Sequence, residues 1–591
     1  MKRNKRFLAL ALGTVLSLSM LAGCGNSGSD STGTPAADST EAPVVEDSSE
    51  AAEAPEDTGD TEALEGADVV ETLYGKVQGI SSTDERYEDV IEFRGIPYAA
   101  PPVGELRWKA PQAPEAWDDI LVCDTYKDIP MQVLGGAEVE PYKSDFYFDG
   151  VPAMSEDCLY LNVVTKKENI QNGEKKPVFV WFHGGGLNSC YTFEPEANGE
   201  AFAHNDVVVV SVEQRLGVFG YLSLPQLTEE QGQSGNYGLM DQIMALEWIR
   251  DNIEAFGGDP DNITIGGQSG GTTKSVAMII SPKCDVKIDK MILESGLKYS
   301  DVYRTQEKAE EVGTNYLIDL GIDENISLDD LRNIDAEALM DTSSSNYPQA
   351  MNVDGLYVTY DSMRSAVDDG VLDSVSVLSG TNFGEGTYPA ASTAEEFYAK
   401  YEEVLGDLYE KYDFENLVQV TDGTASQVTR TLGTYGLGTN VSRSLMVNRL
   451  YGKLMSERTN GQAANYTYLF SQFTPESITD IGTDRSAANQ WAWHSSELWY
   501  VFNSIKDGMP ASRQWTDWDY ELAEKMNQYW VNFISTGDPN GEGLAEWPKA
   551  DENMGYINFG AGISSHQEPL SELEKLMEEY TAEYFSFPTA E

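Results

Sequence analysis

The chain has 591 residues, 39 of them Lys or Arg and 98 Asp or Glu, giving a formal net charge of −59 at pH 7. A field of that sign repels nucleic acid and anionic lipid surfaces, which argues against both as partners. Neutral or cationic small molecules remain open, and the charge is silent about fold.

Lys2, Arg3, Lys5 and Arg6 form a basic head, and an apolar run from Phe7 to Ala22 closes on Leu21-Ala22-Gly23-Cys24. The run is short for a transmembrane span. It resembles the signal peptide of bacterial lipoproteins. That resemblance implies removal of residues 1–23, lipidation of Cys24, and a chain exported from the cytoplasm that meets the membrane only through its lipid. An ordinary secretory signal and an uncleaved anchor are the alternatives. From Gly25 to Val70 there are 13 acidic residues and no Lys or Arg. Such a composition cannot bury enough apolar surface to fold, so residues 24–70 read as a lipidated cysteine on a disordered, self-repelling tether. Residues 71–591 are then one folded domain.

Within that domain, strand-like apolar runs (PVFVWF, DVVVVSV, NITIGG, KMILES, SVSVLSG) alternate with helical stretches such as YGLMDQIMALEWIRDNI. The alternation predicts an α/β fold, with a mostly parallel central sheet and helices on both faces. Besides Cys24 there are four cysteines, Cys123, Cys158, Cys190 and Cys284, with no Cys-x-x-Cys or Cys/His cluster that suggests a metal.

The stretch that carries chemistry is Ile263–Gly271, ITIGGQSGG, an apolar run followed by a helical segment. Gly-x-Ser-x-Gly in a strand–turn–helix context places the serine on a strained elbow. The elbow crowds the residues two before and two after Ser269, and Gly267 and Gly271, lacking Cβ, relieve that crowding. A nucleophilic serine needs a base, and the chain has only four histidines. In an α/β-hydrolase the order is serine, acid, histidine, which removes His183 and His204 and leaves His494 and His566. His494, in NQWAWHSSELWYVF, has aromatic neighbours able to wall a pocket and is preferred. For the acid, Glu385 follows the run SVSVLSG in a glycine-rich loop, where such folds present catalytic groups. Asp354, in VDG, competes with it, and position alone leaves both open. His183-Gly184-Gly185-Gly186 follows PVFVWF and fits an oxyanion loop, with the Gly270 N–H as a further donor. The acidity of the chain also predicts a raised His494 pKa at low salt.

With these residues in place the chain resembles the type-B carboxylesterase (cholinesterase-like) family of α/β-hydrolases. FRGIPYAAPPVGELRW (93–108), SEDCLYLNV (155–163), WFHGGG (181–186), QRLGVFGY (214–221), MILESG (291–296), GTNFGEG (380–386) and HSSELWYVF (494–502) stand in family order around the elbow. The resemblance implies an α/β-hydrolase fold with helical insertions over the site, Ser269 as nucleophile, Glu385 as acid and His494 as base. It implies Gly185, Gly186 and Gly270 as oxyanion donors, an acyl-enzyme formed on small or medium carboxylic esters, and no cofactor or metal. Where the family usually has Glu and Ala around the nucleophile, this chain has Gln268 and Gly270. Leu187 replaces a common aromatic and Cys190 a common Gly. Cys158 matches a family half-cystine whose usual partner position lacks Cys, so Cys123 is its candidate partner. Two other readings stay in view. One is a non-catalytic adhesion or binding relative; the other puts the same triad to work as a lipase, amidase or polysaccharide deacylase.

Overall fold

The computed structural model describes residues 68–173, 175–385, 391–438, 443–476, 478–483, 485–511 and 513–587. The stretch read as a signal sequence, Cys24 and the segment read as a tether, up to residue 67, lie outside the described residues, as does Gly386.

The apolar runs become the strands of one mixed sheet. In chain order they are β1 (Ile80–Ser81), β2 (Val90–Pro97), β3 (Tyr160–Lys166), β4 (Lys176–Phe182), β5 (Val208–Val212) and β6 (Gly258–Gln268). They continue with β7 (Lys290–Glu294), β8 (Ser376–Asn382), β9 (Asn465–Phe470), β10 (Tyr556–Phe559) and β11 (Ile563–His566). Their spatial order is β11-β10-β9-β8-β7-β6-β4-β5-β3-β2-β1. From β10 through β5 every neighbour is parallel, whereas β11 and the strands from β3 to β1 are antiparallel.

Successive side chains of a strand face opposite ways, so a run that is apolar at every position must be covered on both faces. Strand β4 sends Val178, Val180 and Phe182 into one core and Phe179 and Trp181 into the other, and β5 splits Val208, Val210 and Val212 from Val209 in the same way. Four helices cover the first face: α1 (Tyr237–Asn252), α2 (Gly270–Ile279), α5 (Leu445–Thr459) and α8 (Glu572–Phe585). The second face is covered by α6 (Leu498–Val501) and by α7 (Asp517–Thr536), which buries Leu522, Met526, Trp530 and Phe533. Helix α7 starts on a capping box between Thr516 and Asp519 and stops at Gly537, whose φ is 80°.

Between β8 and β9 the chain adds α3 (Ala394–Leu405) and α4 (Ala425–Tyr435). Helix α4 docks beside the β8 exit, where Thr434 Oγ1 donates to the Phe383 carbonyl at 2.7 Å. Arg430 lies 4.2 Å above the Trp491 ring. Ser269, Glu385 and the His183 loop all follow the carboxyl ends of parallel strands, which is where this architecture gathers its chemistry. Among the described residues no helix is long and apolar enough to cross a membrane.

Candidate active site

Ser269 stands between β6 and α2 with φ 55° and ψ −111°, a conformation that costs a non-glycine residue about 1–3 kcal/mol. Its N–H donates to the Glu294 carbonyl on β7 at 2.8 Å, which ties the elbow to the sheet. A Cβ on Gly267 would fall 2.7 Å from Gly271 Cα and 2.3 Å from the Phe182 carbonyl. The crowding expected from the sequence is therefore present, and it involves β4 as well.

The glycine loop packs beside this elbow. A Cβ on Gly184 would lie 3.8 Å from Ser269 Cβ. Gly185 and Gly186 have φ of 72° and 64°, left-handed values open to glycine. The Gly185 carbonyl is engaged by the N–H groups of Asn188 and Ser189, at 3.3 and 3.1 Å. The N–H groups of Gly185 and Gly186 donate to no acceptor among the described residues. Gly270, at the first turn of α2, has an N–H that the helix itself cannot pair. These three sequence-selected donors thus lie on two segments in contact. Gly270, where the family usually has Ala, is explained by that contact, because a Cβ there would fall 2.1 Å from Gly186 O and 2.5 Å from Gly186 N. Gly270→Ala must push Gly186 away, and we expect kcat for an ester to drop about 10- to 100-fold with the melting temperature little changed.

His494 and Glu385 meet across two stitched loops. Glu385 Oε1 is 3.1 Å from His494 Nδ1. The loops are held together by Gly384 N–H donating to the Ala492 carbonyl and Asn382 Nδ2 donating to the Trp493 carbonyl, both at 2.8 Å. Gly384 is required there, since a Cβ would meet Ala492 O at 2.5 Å. The Gln268 amide nitrogen lies 3.3 Å from both His494 ring nitrogens. A donor equidistant from both cannot lie along either in-plane lone pair, so Gln268 covers the ring face. Among the described residues no hydrogen bond joins the Ser269 hydroxyl to His494.

Beneath the imidazole is a group of carboxyls that the sequence reading did not single out. Ser295, at φ 54°, donates to Glu385 Oε1 at 2.6 Å and lies 3.3 Å from Glu497 Oε1. Asn382 Nδ2 also donates to Glu497 Oε2. Burial, with Glu385 and Glu294 nearby, pushes the Glu497 carboxyl well above the usual carboxylate range. Burial pushes Glu294 up to about 8 against the opposing hydrogen bond from Trp530 Nε1. Their neutrality spares the site three like charges in one place. Both Ser295 and Glu497 lie inside motifs read for other reasons, MILESG and HSSELWYVF, and no local signal marks a role for either.

The remaining candidates lie elsewhere. The Asp354 carboxylate caps the N–H groups of Leu356, Tyr357 and Val358 and accepts from Asn236 Nδ2. His566 ends an edge strand, stacked on Tyr556 with ring centroids 4.5 Å apart. Of the tryptophans near His494, Trp499 is fully buried in the second core, and Trp491 stacks on Phe383 at 4.9 Å beside the Glu385 loop. Cys123 and Cys158 are both buried free thiols, so the bridge considered between them does not form. Cys123 Sγ faces the Leu121 carbonyl instead.

A sequence model of the carboxylesterase family matches residues 66–576. Para-nitrobenzyl esterase of Bacillus subtilis (strain 168) is 30% identical over 527 residues, covering 85% of this chain and 97% of that protein. Liver carboxylesterase 1 of Oryctolagus cuniculus is 29% identical over 536 residues, 84% of this chain and 91% of that protein. Among solved structures, a PNB esterase superposes with a TM-score of 0.67 at 28% identity, covering 86% of this chain and 99% of the other. The Geobacillus stearothermophilus carboxylesterase Est55 gives 0.63 at 27% identity, with 86% and 99% covered. With the α/β-hydrolase sheet, the serine elbow and the glycine loop all in place, the chain belongs to the carboxylesterase family and is an ester hydrolase.

Proposed function

We propose that the protein hydrolyses small or medium carboxylic esters outside the cytoplasm through Ser269, His494 and Glu385, with an acyl-enzyme intermediate. One observation carries this reading: an imidazole bonded to a carboxylate at 3.1 Å sits beside a serine elbow and a loop whose N–H groups are unpaired among the described residues. His494 Nδ1–H donates to Glu385, which leaves Nε2 as the base. As Ser269 Oγ attacks the ester carbonyl, its proton passes to Nε2 and Glu385 stabilises the imidazolium. The N–H groups of Gly185, Gly186 and Gly270 receive the oxyanion. Collapse of the tetrahedral adduct breaks the bond to the alcohol, which takes the proton from Nε2. Water then repeats the sequence on the acyl-serine and releases the acid. The Ser269–His494 hydrogen bond forms when substrate arrives, as catalytic contacts of unliganded enzymes tighten in the complex. In this reading residues 1–23 direct export, Cys24 carries the lipid, and the acidic segment up to residue 67 tethers the domain that follows; Val69 and Val70, read with the tether, instead pair with Gln78 and Val77 as part of that domain.

Besides the long-range field expected from composition, local groups act on the same imidazole. Burial holds the His494 imidazole below its ordinary value, the Arg443 guanidinium acts in the same direction, and Glu385 opposes them. A base with a depressed pKa stays neutral to lower pH. With the long-range acidic field screened by about 0.5 M salt, the acidic limb of kcat/KM is expected below pH 6.5. A limb above that value at high salt would contradict the local account.

The substrate class is tested with p-nitrophenyl esters of increasing acyl length and the purified chain. A kcat/KM maximum at short or medium acyl groups is expected. A maximum only at long chains in the presence of an interface would make the enzyme a lipase, and no turnover of any ester would leave the fold to a binding role.

A further inference from the structure

Behind the glycine loop lies a buried cation that the reaction scheme above does not use. Lys274 projects from α2 and has no exposed surface. Its Nζ donates at 2.8 Å to the carbonyl of His183, whose peptide leads directly into Gly184-Gly185-Gly186. Nζ also lies 3.4 Å from His183 Nδ1. Gln214, with its amide oxygen turned to satisfy both donors, accepts from His183 Nε2 at 2.5 Å and from Lys274 Nζ at 3.3 Å. Nζ is likewise 3.5 Å from His183 Nε2, so the lysine covers the ring face, while His183 Nδ1 faces the Gly184 carbonyl at 3.1 Å. No carboxylate lies within 4.0 Å of Nζ among the described residues.

A buried ammonium held by neutral acceptors is costly, and an apolar side chain would fill the space without that cost. The cation is aimed at the peptide that opens the oxyanion loop, on the side away from solvent. We infer that Lys274 is a positioning residue for ester hydrolysis, whose ammonium holds the glycine loop through the His183 carbonyl and adds positive potential where the oxyanion develops. The inference rests on the oxyanion role given above to Gly185, Gly186 and Gly270. An ester in its ground state carries little charge on the carbonyl oxygen, whereas the tetrahedral adduct carries a full one. The effect therefore falls on kcat and on transition-state analogues rather than on KM.

Titration separates the charge from the hydrogen bond, because a neutral amine still donates to the His183 carbonyl. Burial pushes the Lys274 pKa down to about 7 against the pull of Cys190, Glu213 and Glu194. The groups facing it are His183, kept neutral by burial and by Lys274 itself, and Glu213 and Glu194, each pushed up to about 7 by burial. Beyond them lie Glu196, Cys190 and Tyr147, all pushed upward by burial. Ionisation of Glu213 or Glu194 would hold the lysine proton to higher pH. An alkaline limb that depends on Lys274 itself is therefore the signature.

The experiment compares the full-length enzyme with Lys274→Met, using p-nitrophenyl butyrate and an aryl trifluoromethyl ketone that forms a tetrahedral adduct on serine. Expected for Lys274→Met are kcat about tenfold lower, KM within about twofold, ketone affinity reduced in step with kcat, and loss of the alkaline limb of kcat. Unchanged kcat would overturn the inference, as would a kcat loss that retains the alkaline limb and tracks a lower melting temperature. If Lys274→Met does not fold, Lys274→Gln, which keeps a donor for the His183 carbonyl without the charge, takes its place: a lowered kcat with loss of the alkaline limb supports the inference, and a kcat and alkaline limb equal to the parent's contradict it. Ser269→Ala runs alongside: if it stays active the oxyanion reading itself fails, whereas an inactive Ser269→Ala with an unaffected Lys274→Met removes only the role of the lysine.

Discussion

Ser269→Ala is expected to lower kcat for a p-nitrophenyl ester by about 10⁴- to 10⁶-fold while leaving the circular dichroism spectrum and melting temperature unchanged or slightly improved. The magnitude follows from the role proposed for this side chain, since removing the nucleophile removes the acyl-enzyme and leaves only what the oxyanion loop and binding contribute. The stability side follows from the backbone. Ser269 is held at φ 55°, a strain set by the packing of Gly267 against Phe182 O and Gly271; among the described residues its hydroxyl makes no hydrogen bond. Alanine suffers the same φ and loses no side-chain hydrogen bond, so the fold has no reason to weaken.

The second large effect is expected from Glu385→Gln, with kcat down about 10³- to 10⁴-fold and KM changed much less. Glu385 Oε1 accepts from Ser295 Oγ at 2.6 Å and faces His494 Nδ1 at 3.1 Å, so its job is to accept. A glutamine can turn its NH₂ toward Nδ1, which favours the tautomer with the proton on Nε2, and a protonated Nε2 cannot take the serine proton. The loss should shrink in Glu385→Asp, which keeps the acceptor but shortens its reach. Equal losses in the two variants would point to the loop geometry rather than to the tautomer.

The parts of this fold that the sequence made legible are those with a period or a steric requirement. Strands β4, β5, β6, β7 and β8 were visible because a parallel strand covered on both faces is apolar at nearly every position. Ser269 was visible because its elbow demands glycine at 267 and 271, and His494 because only four histidines were available to choose from. The antiparallel flanks were legible only through family resemblance or not at all. The short β1, β10 and β11 pair at the margins of the sheet, where alternation is brief and turn signals dominate.

Contacts between distant segments were not legible. Ser295 and Glu497 are 202 residues apart and converge under the imidazole only because β7 and the His494 loop meet in space. Lys274 reads as an ordinary polar residue of an amphipathic helix, and its burial follows from the approach of the His183 loop. The pairing of Cys158 with Cys123 failed for a similar reason, since a family half-cystine does not fix where another thiol will lie. The reason for Gly270 was also hidden. A departure from the family pattern that suggested altered specificity is, in space, the room that Gly186 needs.

The most direct test of the account is reaction of the full chain with a fluorophosphonate followed by peptide mass spectrometry. One adduct per chain is expected, on Ser269, with esterase activity lost in proportion to labelling and no adduct in Ser269→Ala or His494→Ala. An adduct on another residue with full loss of activity, or an unlabelled chain that still turns over esters, would contradict it.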